Sequence, residues 1–179
     1  MIGVLVSGEG SNLQALIDAR LPVACVASNK PGVKALERAA AAGIPTRVFA
    51  LEDYADRARR DSHMAEWLAL NSVELVVLAG YMHLLTPEFL DRFPDRVVNV
   101  HPSLLPEFPG AHAIDDALAA NATVTGVTVH YVDEGLDTGA VIAQEEVPVE
   151  PRATLEERIH AVEHRLLPKV VSELCHVRS

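Results

Sequence analysis

Short Val/Leu/Ile runs alternate along this chain with segments of helical periodicity, and this alternation constrains the fold most. The run VELVVLAG, residues 73–80, is apolar at almost every position, as expected of a strand buried on both faces of a parallel sheet. Strand-helix alternation predicts an α/β fold with a doubly wound, Rossmann-like, mostly parallel sheet. The predicted strands are Gly3–Ser7, Val23–Ser28, Thr46–Phe49, Val73–Ala79 and Val97–Val100, and the predicted helices are Asn12–Ala19, Val33–Ala42, Tyr54–Leu70 and Pro87–Arg92.

The pattern changes after residue 122. Two strand-like runs, Thr125–Val132 and Ala140–Val147, flank the glycine-containing loop DEGLDTG, which predicts an antiparallel hairpin. An amphipathic segment at about Leu155–Glu173 predicts a closing helix. Because no linker or repeat interrupts the pattern, we expect one domain over residues 1–179.

Composition excludes several classes of protein. The chain has 179 residues, 49% of them hydrophobic and 22% charged, which is typical of one globular domain. Its net charge of -10 argues against a nucleic-acid partner. No apolar run approaches the roughly 20 residues of a membrane span, and the start MIGVLVSGEGSN lacks the basic residues of an export signal. We therefore expect no membrane partner. The two cysteines, Cys25 and Cys175, form no Cys-x-x-Cys pair, so we expect both to be free thiols in a reducing cytoplasm.

The first candidate site is the glycine-rich turn SGEGSNLQAL, residues 7–16, between a predicted strand and a predicted helix. Backbone N–H groups and the helix dipole converge at such a turn and favour an anion. The third glycine of a dinucleotide fingerprint and the lysine of a P-loop are both missing. We therefore expect a monophosphate held by Gly10, Ser11 and Asn12, with a plain Ser/Asn-capped helix start as the alternative.

The second candidate site is NVHPSLLPEFPG, residues 99–110. Asn99 and His101 lie two residues apart at the end of a strand, so they share a face at the edge where open α/β sheets bind ligands. An amide beside an imidazole suits acyl transfer, in which charge develops on a carbonyl oxygen. Three prolines stiffen the exit, and a cis bond at Leu105–Pro106 is a hypothesis. The alternative is a structural polar pair.

The third candidate is the hairpin loop DEGLDTG, residues 133–139. Its turn residues need no chemical role to explain them. However, Asp137 could fold back and pair with His101, which would favour the charged imidazolium. The sequence leaves both interpretations open.

A zinc-like motif, HAVEH at residues 160–164, matches the His-x-x-Glu-His pattern. On a helix, His160 and His164 share one face. The chain that follows offers only Glu173, Cys175 and His176 as a third ligand, so we predict no metal.

Taken together, these motifs resemble those of the folate-dependent formyltransferases, and in particular of phosphoribosylglycinamide formyltransferase. The resemblance covers nearly the whole chain. It rests on SGxGSNLQA at the start, SNK at 28–30, LAGYM at 78–82, NVHPSLLP, GVTVHYVDEGLDTG, and VEH at 162–164. The Asn-x-His-Pro motif is typical of formyltransferases in general, and the Gly-Ser-Asn loop narrows the resemblance to the glycinamide enzymes.

The resemblance implies roles for individual residues. Asn99, His101 and Asp137 match the family's catalytic trio. The expected contacts to the ribonucleotide are made by Gly10, Ser11, Asn12 and Glu163. The expected contacts to the folate are made by Arg57, Met82, His83, Leu84, Leu85 and Asn99. His83 stands where many relatives have Arg or Lys.

The implied reaction transfers the formyl group of 10-formyltetrahydrofolate, a co-substrate, to the amine of glycinamide ribonucleotide in purine (IMP) synthesis. Residues 1–95 would form the nucleotide phosphate-binding half and residues 96–179 the catalytic and folate-binding half, in a monomer or a homodimer. Three other functions stay open. A 10-formyltetrahydrofolate hydrolase would carry an N-terminal regulatory domain, whereas the first predicted strand begins at the start of this chain. A methionyl-tRNA formyltransferase would carry a basic surface and a C-terminal extension. A nonenzymatic nucleotide-binding module would use the glycine loop alone.

Overall fold

The computed structural model describes residues 1–177, which form seven strands and six α-helices. The strands are β1 (Ile2–Val6), β2 (Val23–Ser28), β3 (Thr46–Val48), β4 (Leu75–Leu78), β5 (Val97–His101), β6 (Val124–Tyr131) and β7 (Val141–Pro148). The helices are α1 (Ser11–Asp18), α2 (Lys34–Ala41), α3 (Arg57–Leu70), α4 (Pro87–Leu90), α5 (Ala113–Ala119) and α6 (Leu155–Val177). The chain divides into two compact units between Val98 and Asn99.

The first unit is built on parallel strands in the order β3-β2-β1-β4. Every residue of β1 and of β4 is buried, which explains why both strands read as continuous apolar runs rather than alternating ones. Leu13 and Leu16 of α1 and Met64 and Leu68 of α3 are fully buried in the core. Burial of each such aliphatic side chain contributes roughly 1.5–3 kcal/mol to the free energy of folding. This apolar core stabilises the strands, and the polar residues lie at the strand ends.

The second unit contains residues 99–101 of β5 together with β6 and β7, which are antiparallel to each other. The register of β6 and β7 shifts before His130, because Val129 pairs with Ala143 whereas His130 pairs with Val141, which leaves Ile142 of β7 as the extra residue. Residues 125–130 of β6 are all buried. Helix α6 contacts both β6 and β7. The apolar residues that α6 buries are Leu155, Ile159, Leu166, Leu167, Pro168, Val170 and Val171.

The predicted fold class is confirmed: the chain has an α/β fold with mostly parallel strands, a C-terminal antiparallel hairpin and a closing helix. Helix α5 was not predicted. Helix α3 begins at Arg57 rather than Tyr54, because Asp56 caps it by accepting a 2.8 Å hydrogen bond from the Arg59 N–H. Within residues 1–177, no helix is long and apolar enough to cross a membrane.

The thiol of Cys25 on β2 is fully buried, and burial raises its pKa from 9.0 to about 12. Because the thiolate is the reactive form, a shift of this size lowers its fraction at neutral pH roughly a thousandfold. We expect Ellman's reagent to leave Cys25 unmodified in the native Cys175→Ala variant and to react rapidly after unfolding in guanidinium. Rapid labelling of this variant with its circular dichroism unchanged would contradict the prediction.

Candidate active site

In the first unit, the predicted phosphate loop is an open helix N-terminus. Gly10 is the N-cap of α1, with φ of 74° and no side-chain capping hydrogen bond. Ser11 and Asn12 lie inside the helix, so neither caps it in the way that the plain helix-start interpretation requires. The first-turn N–H groups therefore lack a side-chain cap at the end of the helix that attracts anions.

Helix α2 holds this loop in place. The Ala35 N–H donates to the Gly8 carbonyl at 3.0 Å, and the Arg38 Nε–H donates to the Glu9 carbonyl at 2.8 Å. A Cβ added at Gly10 would lie 2.6 Å from the Ala35 Cβ. Both this close approach and the left-handed φ require glycine at position 10.

The first unit also contains a connected polar network that includes His83, a residue of the predicted folate-lining segment. Arg60 and Asp61 of α3 are fully buried, and Arg60 Nε donates to Asp61 Oδ1 at 2.8 Å. Arg60 Nη1 lies 2.8 Å from His83 Nδ1, and Asp61 Oδ2 accepts a 2.9 Å hydrogen bond from the Thr86 N–H. Because guanidinium can only donate, His83 Nδ1 is the acceptor and carries no proton.

The network continues to the ends of β1 and β2. The Asn29 amide lies against the His83 ring, with Nδ2 at 3.4 and 3.3 Å from the two ring nitrogens, and the Ser7 hydroxyl donates to Asn29 Oδ1 at 2.6 Å. The same hydroxyl accepts a 2.9 Å hydrogen bond from the Met82 N–H. These bonds fix the backbone of residues 82–86 against α3, β1 and β2.

The segment 82–85 exposes an apolar surface. Met82 and Leu84 are 60% and 46% exposed, whereas the Leu85 side chain is only 5% exposed and packs inward. Arg57 lies exposed at the start of α3, and its positive charge contributes to lowering the pKa of His83. The predicted folate residues of the first unit thus include exposed apolar side chains and an exposed cation.

In the second unit, the Asp137 carboxylate lies beside His101, and Asn99 lies two residues before this histidine on β5. Asn99 is the one half-buried residue of β5, and His101 is buried two residues later. His101 Nδ1 lies 3.4 Å from Asp137 Oδ2. His101 Nε2 lies 2.8 Å from the Phe108 carbonyl, which can only accept, so this nitrogen carries a proton.

Asp137 is held by the backbone around it. Its Oδ2 accepts a 2.8 Å hydrogen bond from the Gly110 N–H. Its own φ is 53°, in the left-handed region that Asp and Asn adopt more readily than other side chains. The loop before it is closed by Asp133, whose Oδ1 accepts from the Gly135 N–H and the Thr138 hydroxyl at 2.9 and 2.6 Å.

The stiff exit from β5 supplies the Phe108 carbonyl. The Ser103 hydroxyl donates to this carbonyl at 3.2 Å and also to the Glu107 carbonyl. The Leu105–Pro106 bond is cis, as hypothesised, and the Glu150–Pro151 bond is also cis. The exit loop is therefore held both by its prolines and by a buried serine.

Sequence reasoning missed His130 of β6. This residue is 2% exposed, and its Nε2 lies 3.3 Å from Asn99 Nδ2 and 3.7 Å from Asp137 Oδ1. The available signal was a histidine within an otherwise apolar strand, GVTVHYV, but that pattern equally suits a structural residue.

The remaining predicted residue, Glu163, is 6% exposed on α6. Its neighbours His160 and His164 lie with ring centroids 6.3 Å apart. Among residues 1–177, no group of three or more His, Cys, Asp or Glu side chains is placed to hold a metal ion.

Comparison with known proteins identifies the family. The formyl transferase family model matches residues 1–171. The chain belongs to the formyl transferase family. The predicted resemblance is thereby confirmed, and the Asn99–His101–Asp137 cluster lies within the matched residues.

Individual relatives agree with this assignment. Phosphoribosylglycinamide formyltransferase of Bacillus subtilis is 41% identical over 96% of this chain and 92% of its own length. The crystal structure of glycinamide ribonucleotide transformylase 1 from Geobacillus kaustophilus is 46% identical, with a TM-score of 0.93 over 97% of both chains. The trifunctional purine biosynthetic protein adenosine-3 of Drosophila pseudoobscura is 46% identical over 97% of this chain. The chain spans only 14% of the length of that protein.

The lowered pKa of His83 predicts a pH-dependent stability. Burial lowers this pKa from 6.5, and the charges of Arg60 and Arg57 lower it further. As pH falls below 6.5, the unfolded chain takes up a proton that the folded His83 resists, so the contribution of this residue to stability is full above pH 6.5 and decreases in acid. We expect the stability advantage of the wild type over His83→Gln, from urea unfolding, to be smaller at pH 5.5 than at pH 7.5.

The exposed His63 of α3 provides the matched control. His63→Gln removes an imidazole from the same helix that carries Arg60, outside the polar network. An advantage over His83→Gln that stays constant or grows in acid would contradict the assignment.

Proposed function

We propose that this chain transfers the formyl group of 10-formyltetrahydrofolate to the amine of glycinamide ribonucleotide, giving formylglycinamide ribonucleotide in purine synthesis. The observation that carries this proposal is the position of His101, held between the Phe108 carbonyl and Asp137 and two residues after Asn99 on β5. The names of the relatives, phosphoribosylglycinamide formyltransferase among them, support the same reaction. They give no support to the hydrolase alternative.

In the proposed mechanism, the neutral amine attacks the formyl carbon directly. A C–N bond forms, negative charge develops on the formyl oxygen, and the bond to N10 of the folate then breaks. The amine loses a proton and N10 gains one, so no covalent bond to the enzyme is needed. The residues of the second unit stabilise the charged oxygen and assist these proton transfers.

Asn99 and His101 provide the hydrogen-bond donors for that oxygen. With Nε2 bonded to Phe108, Nδ1 is the nitrogen of His101 that can turn toward the substrate. Its 3.4 Å separation from Asp137 is longer than the 2.7–2.9 Å usual for a charge-assisted hydrogen bond, which leaves room for a second acceptor. The ring thus has a carboxylate on one side and a carbonyl on the other, and both groups can accept a hydrogen bond from it.

The first unit supplies the proposed contacts to the anionic and apolar parts of the substrates. The N-terminus of α1, with Gly10, Ser11 and Asn12, takes the ribonucleotide phosphate. The exposed Met82 and Leu84 offer apolar surface to the pterin, and Arg57 offers a cation to the glutamate tail of the folate. The contact proposed between Glu163 and the ribose of the ribonucleotide rests on the family resemblance alone. We further propose that the chain works in the cytoplasm, as a monomer or a homodimer.

A direct assay separates the candidate functions. Purified protein is mixed with 10-formyltetrahydrofolate, with and without glycinamide ribonucleotide, and both the folate and the ribonucleotide products are measured. We expect loss of the formyl group only when the ribonucleotide is present, with an equal amount of formylglycinamide ribonucleotide formed. Loss to formate without the ribonucleotide would support a hydrolase, and no loss would leave a binding module.

Removal of the charge on Asp137 tests the trio. Asp137→Asn keeps the left-handed backbone at φ 53°, because Asn adopts this conformation readily, and loses only the carboxylate. We expect kcat to fall by about 10²–10³-fold, as in the loss of one oxyanion donor, with ribonucleotide binding retained in calorimetry. His101→Ala should behave in the same way.

Asp115→Asn on α5 is the control, since it removes one exposed carboxylate from the same unit. Near-normal turnover in either trio variant would exclude the assigned roles. The assigned roles would also be excluded if Asp115→Asn lowered kcat as much as the trio variants do.

Addition of charge at position 11 tests the phosphate loop. Ser11 is the first residue of α1, where an acidic side chain stabilises the helix, so Ser11→Asp should fold normally. Repulsion between this carboxylate and the phosphate should raise KM for the ribonucleotide at least about tenfold and leave KM for the folate nearly unchanged. The uncharged Ser11→Asn variant controls for size. If the two variants had equal KM values for the ribonucleotide, the phosphate would have to lie elsewhere.

A further inference from the structure

We propose that His130 is a positioning residue that sets the orientation of the Asn99 side-chain amide, so that one N–H of this amide is directed at the reacting oxygen. The inference rests on the proposed function, because it assigns His130 a part in the same formyl transfer. It is carried by three contacts of a buried ring: to a carbonyl, to the amide and to the Asp137 carboxylate.

The first step is the position of the proton on His130. Nδ1 lies 2.8 Å from the carbonyl oxygen of Tyr131, the next residue in the chain. A carbonyl oxygen only accepts, so Nδ1 carries the proton. In the neutral ring, Nε2 is then a hydrogen-bond acceptor, and the tautomer is set by the backbone of β6 itself.

The second step is the orientation of the amide. Asn99 Nδ2 lies 3.3 Å from His130 Nε2, so an amide N–H donates to the ring nitrogen. The reversed amide would place its carbonyl oxygen against the ring lone pair, two acceptors with no proton between them. One amide N–H is thus used by His130, and the second N–H remains for a substrate oxygen. A fixed donor of this kind needs no reorganisation when charge develops on the formyl oxygen.

The third step is the local structure that holds the ring. The pairing of β6 with β7 changes register at His130, with the extra residue on β7, and irregularities of this kind are common beside active sites. Gly139 keeps the Tyr131 carbonyl accessible to Nδ1, because a Cβ at position 139 would lie 1.7 Å from that oxygen. The ring is 2% exposed, so solvent does not compete for either nitrogen.

Asp137 makes the arrangement dependent on a neutral His130. The carboxylate faces two histidines, with Oδ2 3.4 Å from His101 Nδ1 and Oδ1 3.7 Å from His130 Nε2. A proton on His130 Nε2 would bond to Asp137 and oppose the N–H of Asn99.

Substitutions of His130 with and without a hydrogen-bond acceptor test the role. We expect His130→Leu to lower kcat about 10–100-fold, part of the effect of losing an oxyanion donor, with both KM values within about threefold of wild type. His130→Gln can keep an acceptor facing Asn99, so its kcat should stay within about fivefold of wild type. His176→Gln, an exposed imidazole on α6, is the control.

The double variant shows whether His130 acts through Asn99. If it does, adding His130→Leu to Asn99→Ala should change kcat less than about threefold, because the amide to be oriented is already absent. Multiplication of the two single effects would overturn the inference, as would a His130→Leu enzyme with wild-type kcat. Should Asn99→Ala itself keep full turnover, the proposed function would fail instead.

Nitrogen-15 NMR of the histidine rings tests the tautomer in the unmodified protein, whether or not the leucine variant folds. The His130 signal, assigned by its loss in His130→Gln, should show a proton on Nδ1 and an unprotonated Nε2 at neutral pH. A proton on Nε2 would overturn the inference.

Discussion

The structure of the second unit depends on how the Asp137 carboxylate is held. This side chain lies in a hairpin loop, yet its Oδ2 accepts the Gly110 N–H at 2.8 Å and lies 3.4 Å from His101 Nδ1. The carboxylate thus ties the hairpin loop to the exit loop of β5 while it faces the imidazole. A mobile carboxylate would give no constant field at the ring, because Coulomb energy changes steeply over a few ångströms in a partly buried site. The left-handed backbone of Asp137 and the hydrogen bonds to Asp133 explain why this loop, unlike most, can hold a side chain in one place.

The first unit contains a different electrostatic feature, a buried charge. Arg60 is fully buried, and an unpaired buried cation would cost several kcal/mol. Asp61 neutralises it, and His83 accepts a further hydrogen bond from Nη1. The result is that an arginine buried in α3 fixes the position of a segment whose Met82 and Leu84 are exposed. Position 83 therefore holds an imidazole whose Nδ1 accepts a hydrogen bond from a cation buried on the helix.

The sequence predicts most of the fold because burial leaves a periodic signature. The fully buried β1 and β4 were recognised from their apolar runs, and the antiparallel hairpin from its glycine-rich loop. Helix α5 was missed because AIDDALA is only seven residues long and Ala-rich, too short for a periodic pattern to emerge. The start of α3 was misplaced because the capping role of Asp56 depends on a hydrogen bond to the Arg59 N–H, and the sequence pattern did not distinguish this N-cap from the residues just before it.

The candidate site was predictable only where its residues are neighbours in sequence. Asn99 and His101 share a strand, so their common face follows from the period of two. The contact between His101 and Asp137 depends on a loop that returns after 36 residues, and the sequence offered it only as one of two interpretations. His130 lies where the pairing of β6 with β7 changes register, and such an irregularity leaves no sign in the composition.

Because the chain is acidic, the phosphate loop must attract an anion through its backbone geometry rather than through the net charge of the protein. With a net charge of -10, the average field would repel the two anionic substrates proposed above, and the glycine loop has no lysine of the P-loop kind to offset it. Backbone N–H groups at the start of α1 can bind a phosphate without adding a formal charge. Their attraction is short-ranged, so the loop must be held to a fraction of an ångström, and contacts with α2 at Gly8, Glu9 and Gly10 provide this rigidity. In a chain of this charge, we expect the affinity for the ribonucleotide to depend on the fixed backbone of this loop more than on steering from a distance.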